Sequence, residues 1–404
     1  MSSLHKNTLL KNTSSLPSRM LPPAATKVPG SSTTSSTQNI PKSRIRDFTP
    51  LPWSNYFETY EDVAVDDDNV FRVYRMGETG PVVALLHGGG FSALTWAVMS
   101  TILVKQVKCR VIAMDMRGHG DTKTVDESNM SADTLASDVG KVVQTLFKDE
   151  EVPPIILVGH SMGGAIAVHA ANKNLVPNLR SLVVIDVVEG SALEALHSMQ
   201  SFLRGRPSRF KSLQYAIEYM VKSGQIRNIE SARVSTQGQL IKCEDHKTND
   251  NSSQECSRLS NAIIEEEEEE EEEEGGTTEV ESNGSKRMKT AECSTEKSQD
   301  TAYTWRVNLE STEQYWKGWF QGLSDLFLSC SVPKLLLLAG VDRLDRALTV
   351  GQMQGKFQML ILPQCGHAVH EDQPQKVADA LATFLTRHKM AESLSGFERP
   401  SPCC

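Results

Sequence analysis

The chain has no run of 18 apolar residues, so nothing in its 404 residues reads as a membrane-spanning helix. Its N-terminus lacks the apolar core of a secretion signal, and secretion is not expected. Cysteine is sparse and scattered, at Cys109, Cys243, Cys256, Cys293, Cys330, Cys365, Cys403 and Cys404, with no C-x-x-C pair. Such thiols read as reduced, in a protein of the cytoplasm, the nucleus or both. The terminal Cys403-Cys404 is not a C-a-a-X box, so prenylation is not indicated. Apolar residues make up only 39% of the chain, which implies sizeable unstructured parts. No basic face suggests nucleic acid. The net charge of −9 has a single origin: Glu265–Glu274 is an uninterrupted run of ten acids, and without those ten negative charges the rest carries +1.

What is present is a rhythm of strands and helices around two unpatterned stretches. Residues 1–44 are rich in Ser, Thr, Pro and Asn and read as a disordered tail. Phe71 to Tyr74 alternates as an early strand. Val82 to Leu86, Arg110 to Met114, Ile155 to Val158 and Leu182 to Ile185 are apolar runs of strand length. Between them, Trp96 to Val107 has helical spacing. Ser131 looks like an N-cap, ahead of a helix whose apolar face is Leu135, Val139, Val142, Val143 and Leu146. Lys334 to Ala339 and Phe357 to Leu362 are two further strands, and Val377, Leu381, Phe384 and Leu385 mark a last amphipathic helix. Strands alternating with helices predict an α/β protein with a mostly parallel sheet covered on both faces. Active sites in such sheets lie at the carboxyl ends of the strands.

Residues 190–331 interrupt the rhythm after the sixth strand. Their first part is helical, and a helical insertion over the sheet edge predicts a lid. Within it, residues 243–302 have almost no apolar content and read as a disordered acidic insert. The remaining boundaries follow: residues 45–189 and 332–390 form the two parts of the core, and 391–404 a C-terminal tail. Trp305, Tyr315, Trp316, Trp319 and Phe320 form one aromatic cluster, read as lid core with a part that could line a substrate channel.

Gly159-His160-Ser161-Met162-Gly163, directly after a strand and before Ala165-Ile166-Ala167-Val168, has the pattern of a nucleophile elbow with Ser161 as nucleophile. The helix that follows offers unpaired N–H groups and a positive dipole end to a developing oxyanion. A serine hydroxyl needs a base, and that base an orienting acid. His367, in Gln364-Cys365-Gly366-His367 after the last strand, is the candidate base, with His370 as the alternative. Two acids compete to orient it. Asp342 follows the seventh strand, Asp186 the sixth; both lie between Ser161 and His367 in chain order, and position favours Asp342. The glycines of His87-Gly88-Gly89-Gly90 after the third strand read as the other half of an oxyanion hole, with the Gly89 and Met162 N–H groups as donors. His160 reads as structural, and Arg117 and His119 as loop braces or pocket walls. His-x-x-His-Glu-Asp lacks the spacing of a zinc helix, so no metal is expected.

Taken together, these residues resemble the protein phosphatase methylesterase family. The likeness rests on Asp47–Glu58 (DFTPLPWSNYFE), LLHGGG, VGHSMGGAIAVH, Ile185–Leu196 (IDVVEGSALEAL), Ser201–Pro207 (SFLRGRP), Val221–Asn228 (VKSGQIRN), LLLLAGVDRLD, PQCGHAVHED and the acidic insert. It implies an α/β-hydrolase fold, a serine carboxylesterase and no required cofactor. The implied substrate is the methyl ester on the C-terminal leucine of the phosphatase 2A catalytic subunit, which the family also binds and inhibits. Regulatory subunits of that phosphatase are further possible partners. The resemblance reverses the positional choice of acid: the family's triad aspartate falls on Asp186, with Asp342 as the alternative. Two other readings stay open, a phosphatase-binding inhibitor or scaffold with secondary esterase activity, and a small-ester hydrolase.

Overall fold

The computed structural model of the chain describes residues 46–243, 302–340, 344–394 and 396–397. The expected N-terminal tail, the Glu265–Glu274 run and Asp342 lie outside the described residues.

Eight strands make the central sheet: β1 (Thr59–Ala64), β2 (Val70–Met76), β3 (Val82–Leu86), β4 (Arg110–Met114), β5 (Ile155–His160), β6 (Leu179–Ile185), β7 (Lys334–Leu338) and β8 (Gln358–Ile361). Their order is β1-β2-β4-β3-β5-β6-β7-β8. β1 and β2 pair antiparallel, as do β2 and β4. All other neighbours are parallel, as the sequence leads one to expect.

The uninterrupted apolar runs are explained by burial on both faces. Successive residues of a strand point to opposite sides. Val82, Ala84 and Leu86 of β3 join one core, while Val83 and Leu85 join the other. The same split divides Ile155 and Leu157 from Ile156 and Val158, and Leu336 and Leu338 from Leu335 and Leu337. The first core is closed by α2 (Ala132–Leu146) and α3 (Met162–Asn172), the second by α1 (Ala97–Gln106) and the final helix Pro374–Arg387. Each fully buried Leu, Ile or Val stabilises the sheet by about 1.5–3 kcal/mol before entropy is counted. α3 lies against the sheet through Ala165, Ile166, Ala167, Val168 and Ala170, all buried, so its small residues let the backbone come close. Ser131 does cap α2: its side chain accepts the Thr134 N–H at 3.3 Å.

β1 has no apolar signature. Thr59 to Asp62 are exposed, and this edge strand is tied to β2 by Arg72–Asp62 and Arg75–Glu61 ion pairs at 2.7 Å each. Charged edges of this kind resist pairing with another chain.

Between β6 and β7 the described residues form α4 (Glu189–Arg204), α5 (Leu213–Lys222), α6 (Ile229–Ser235), α7 (Glu313–Phe320) and α8 (Leu323–Ser329). They also form a three-stranded antiparallel sheet, Arg209–Phe210, Tyr303–Trp305 and Leu240–Lys242, where the sequence suggested helices alone. Its central strand follows the acidic insert, so the pairing joins chain segments that no local pattern could connect. The Cys243 N–H donates to the Ala302 carbonyl at 2.8 Å, so the chain leaves this sheet and re-enters it at one rung. The aromatic residues read as one cluster divide in two. Trp305 packs on Phe210, whereas Trp316, Trp319 and Phe320 join the first core.

The segment after residue 46 braces α5 and α6. Phe48 packs with Ile217, Met220, Ile226 and Ala232. Arg233 pairs with Asp47 at 2.7 Å, and the Tyr56 hydroxyl donates to Glu230 at 2.9 Å. At the other end the fold runs past residue 390. Glu392–Ser393 pairs antiparallel with Val107–Lys108, and Phe397 packs on the second core.

Candidate active site

β5 runs straight into α3, and Ser161 sits at the turn with φ 52° and ψ −121°. A non-glycine residue in that conformation stores strain and is characteristic of functional sites. Two glycines make the turn possible. A Cβ on Gly159 would fall on the Gly163 carbonyl, and one on Gly163 on the Leu86 and His87 carbonyls. The turn is pinned from the next strand, since the Ser161 N–H donates to the Ile185 carbonyl at 3.0 Å.

Asp186 follows Ile185 at the end of β6, also at positive φ, 50°. Its N–H donates to the Leu337 carbonyl at 2.8 Å. Its carboxylate is buried. Oδ1 accepts the Ala339 N–H at 3.0 Å, and Oδ2 lies 2.8 Å from His367 Nδ1. Of the two acids left by strand order, Asp186 is the one brought to the imidazole; Asp342 is outside the described residues.

The loop carrying His367 is held on several sides. The Gly366 N–H donates to Asp372 Oδ2 at 2.6 Å. The carbonyl of His367 itself accepts from His160 Nε2 at 2.8 Å. The residue before the serine therefore fixes the backbone of the histidine, which gives the structural role expected of His160 a definite form. Burial, with the charges of the His370 and His367 rings adding, holds the His160 imidazole well below the ordinary histidine value. His370, the other histidine of this loop, is placed differently. It is fully buried, stacks on His160 and Trp96, and its Nε2 pairs with the Thr95 hydroxyl at 2.7 Å. Burial pushes it down to about 3.

The glycine loop after β3 is set by two more histidines. His87 Nε2 accepts the Met116 N–H at 3.0 Å while its Nδ1 bonds the Gly88 carbonyl at 2.8 Å. His119 Nε2 accepts the Gly90 N–H at 3.0 Å, and its Nδ1 bonds the Arg117 carbonyl at 2.9 Å. Each ring thus carries its proton on Nδ1 and stays neutral; burial holds His119 near about 4 and His87 well below the ordinary value. The Gly90 N–H is engaged by His119, whereas the Gly89 and Met162 N–H groups show no acceptor among the described residues. Arg117 forms a buried two-point ion pair with Asp138 of α2, at 2.7 and 2.9 Å, so it and His119 are loop braces.

Ser161, Met162, Gly89 and the half-exposed His367 line one side of a cavity of about 360 Å³. α4, α7 with the turn before it, and the end of α5 with the turn after it supply most of the rest, chiefly Met199, Leu203, Met220, Leu309, Trp316 and Trp319. The Ser161 hydroxyl makes no hydrogen bond among the described residues; catalytic bonds of this type commonly close when substrate binds.

Two groups of residues escaped the sequence reading. Glu371, fully buried, accepts from the Ser235 hydroxyl at 2.7 Å and from the Thr95 hydroxyl, and so joins α6 to the His367 loop. Arg206 and Gln239 also line the cavity. Arg206 and Glu371 lie within the runs SFLRGRP and PQCGHAVHED that carry the resemblance, but nothing in those runs shows their roles, because each residue acquires its place only when distant segments fold together.

A model of the alpha/beta hydrolase family matches residues 83–234 and 289–380. Protein phosphatase methylesterase 1 of Mus musculus is 55% identical over 407 aligned residues that cover 100% of both chains. The protein of that name from Bos taurus is 56% identical, covering 98% of this chain and 100% of its own. A probable protein phosphatase methylesterase 1 of Caenorhabditis elegans is 43% identical, over 86% of this chain and 80% of its own. Among solved structures, E-2-(acetamidomethylene)succinate hydrolase superposes with a TM-score of 0.56 at 18% identity, covering 81% of this chain and 99% of that one. An esterase of Mycobacterium tuberculosis gives 0.53 at 19% identity, over 81% and 92%. These two share the fold. Sequence and architecture agree: the chain belongs to the protein phosphatase methylesterases, carboxylic-ester hydrolases of the alpha/beta hydrolase fold.

Proposed function

We propose that Ser161, His367 and Asp186 are the nucleophile, base and orienting acid that remove the methyl ester from the C-terminal leucine of the phosphatase 2A catalytic subunit. The observation that carries this reading is the 2.8 Å bond from His367 Nδ1 to the buried Asp186 carboxylate, on a ring that opens into the cavity of Ser161. With Nδ1–H committed to Asp186, Nε2 is the basic nitrogen.

Ser161 Oγ gives its proton to His367 Nε2 and attacks the ester carbonyl. The Gly89 and Met162 N–H groups receive the oxyanion; both are preorganised, one by the His87–His119 pair and one by the start of α3. His367 returns the proton to the departing methoxide, and methanol leaves. Water, deprotonated by the same nitrogen, attacks the acyl carbon; the bond to Ser161 Oγ breaks, His367 returns the proton to that oxygen, and the leucine carboxylate is released. Methoxide offers almost no surface to recognise, so selectivity falls on the acyl side. The mostly apolar cavity wall suits a leucine side chain. Residues 190–331 act as the lid that builds this wall. Binding to the phosphatase follows from this recognition, and the enzyme works in the cytoplasm or nucleus, where its scattered thiols stay reduced.

The test compares turnover of methylated phosphatase, a methylated tail peptide and a small ester. The whole phosphatase is expected to be demethylated fastest. Ser161→Ala is expected to lose demethylation and keep phosphatase binding. Near-wild-type turnover by Ser161→Ala overturns the triad, and equal efficiency on all three substrates favours the small-ester reading.

A further inference from the structure

The cavity wall holds a cation that the ester chemistry does not use. Arg206, just past the end of α4, lines the same cavity as Ser161 and His367. Its guanidinium lies over the indole of Trp305, 4.3 Å from the ring centroid. That platform is fixed, because Trp305 Nε1 donates to the Pro207 carbonyl at 2.8 Å and the ring packs edge-on to Phe210. A guanidinium stacked on an aromatic face keeps its rim of N–H donors for an in-plane partner.

Among the described residues that partner is missing. Arg206 Nε is buried without a hydrogen bond, and no carboxylate comes within ion-pair distance of the guanidinium among the described residues. Burial lowers its affinity for the proton, opposed only by Tyr219 and the exposed Glu310 acting at a distance. Gln239, 4% exposed, presents a second buried donor without a partner, Nε2, on the same cavity. Donors left unsatisfied in a largely apolar wall cost stability until a ligand completes them.

We propose that Arg206 is a specificity-determining residue for the acyl side of the substrate, binding a carboxylate on a side chain upstream of the C-terminal methyl ester. This rests on the function proposed above. The C-terminal carboxylate is itself esterified and sits at Ser161, so the anion that Arg206 meets is a second one. A carboxylate matches the planar guanidinium fork in two-point geometry, which a neutral amide cannot. Gln239 adds a neutral donor for a peptide carbonyl nearby.

The experiment uses the full-length enzyme and a set of peptide methyl esters ending in leucine. Members differ only in carrying Asp, Asn or Lys at one of the upstream positions. At one position the wild type is expected to prefer Asp by about tenfold or more in kcat/KM, the worth of a hydrogen-bonded charge. Arg206→Gln should bring that ratio close to one, and Arg206→Glu should turn the preference toward Lys at the same position. Every comparison is a ratio within one protein, so partial misfolding cancels. No acid preference at any position, or one that survives Arg206→Gln, overturns the assignment. So does failure of the wild type to cleave any of these peptides. The proposed function is judged separately on the methylated phosphatase.

Discussion

Replacing Glu371 with Gln should reshape the pH dependence of stability. Glu371 is fully buried beside the His367 loop, and burial raises its carboxyl from the ordinary 4.5 to about 8, against the bonds from Thr95 and Ser235. The folded protein therefore holds a proton that the unfolded chain releases above pH 4.5. For an acid whose folded value is raised, stability is full at low pH and is lost as the pH climbs toward 8. The slope approaches about 1.4 kcal/mol per pH unit. It flattens near the folded value, so between pH 6 and pH 8 the wild type should lose roughly 2 kcal/mol. Glu371→Gln keeps the shape, and its amide can satisfy both hydroxyls by rotation of their hydrogens, but it carries no proton to lose. The measurement is urea unfolding of both proteins at pH 6, 7 and 8. Their difference isolates Glu371, because the buried histidines are common to both. Wild type should fall relative to the variant by roughly 2 kcal/mol over that range. Parallel curves would refute the burial argument and mean that Glu371 is ionised in the fold.

Three further outcomes are expected. Asp186→Asn should lower kcat by about 10⁴, as loss of an orienting carboxylate does in a serine protease, and Asp342→Asn by much less; the reverse ranking in turnover assays restores the positional choice. Gly163→Ala drives a Cβ into the Leu86 and His87 carbonyls and should cost about 1–3 kcal/mol, read as a lower midpoint in thermal melting; an unchanged midpoint means that the turn is looser than its geometry implies. Exchanging residues 245–300 for a short Gly/Ser linker should leave hydrolysis of a small ester intact, because Cys243 and Ala302 already meet at 2.8 Å; lost turnover would make the insert part of the catalytic fold.

The sequence revealed most where its signals were local. The doubly buried strands are continuous apolar runs, and the elbow glycines sit beside the serine that they permit. β1 was invisible because an exposed edge strand held by ion pairs needs no apolar face. The orienting acid was ambiguous for a different reason. Asp186 and Asp342 both stand after a strand, and which one reaches His367 depends on packing between loops far apart in sequence; family resemblance supplied what spacing could not. The three-stranded sheet between β6 and β7 was missed because its strands are two or three residues long and its central member follows the insert. Arg206 stood inside the quoted run SFLRGRP with nothing to mark its role. It is one arginine among several, and what sets it apart is the indole that the chain delivers beneath it after the acidic insert.

Ser161 and Asp186, two of the residues at positive φ, are each tied by a backbone bond to the neighbouring strand, Ser161 to Ile185 and Asp186 to Leu337. Those bonds lie at the carboxyl rim, where the parallel ladder has run out, and each holds a conformation that the backbone would leave if released. Working life and structural life are therefore different quantities for this enzyme. Mild denaturant should relax the rim while the doubly buried strands stay paired, so ester turnover should vanish before the far-ultraviolet signal of the sheet and helices begins to change. Storage or assay conditions judged by secondary structure alone would pass protein that has already stopped working.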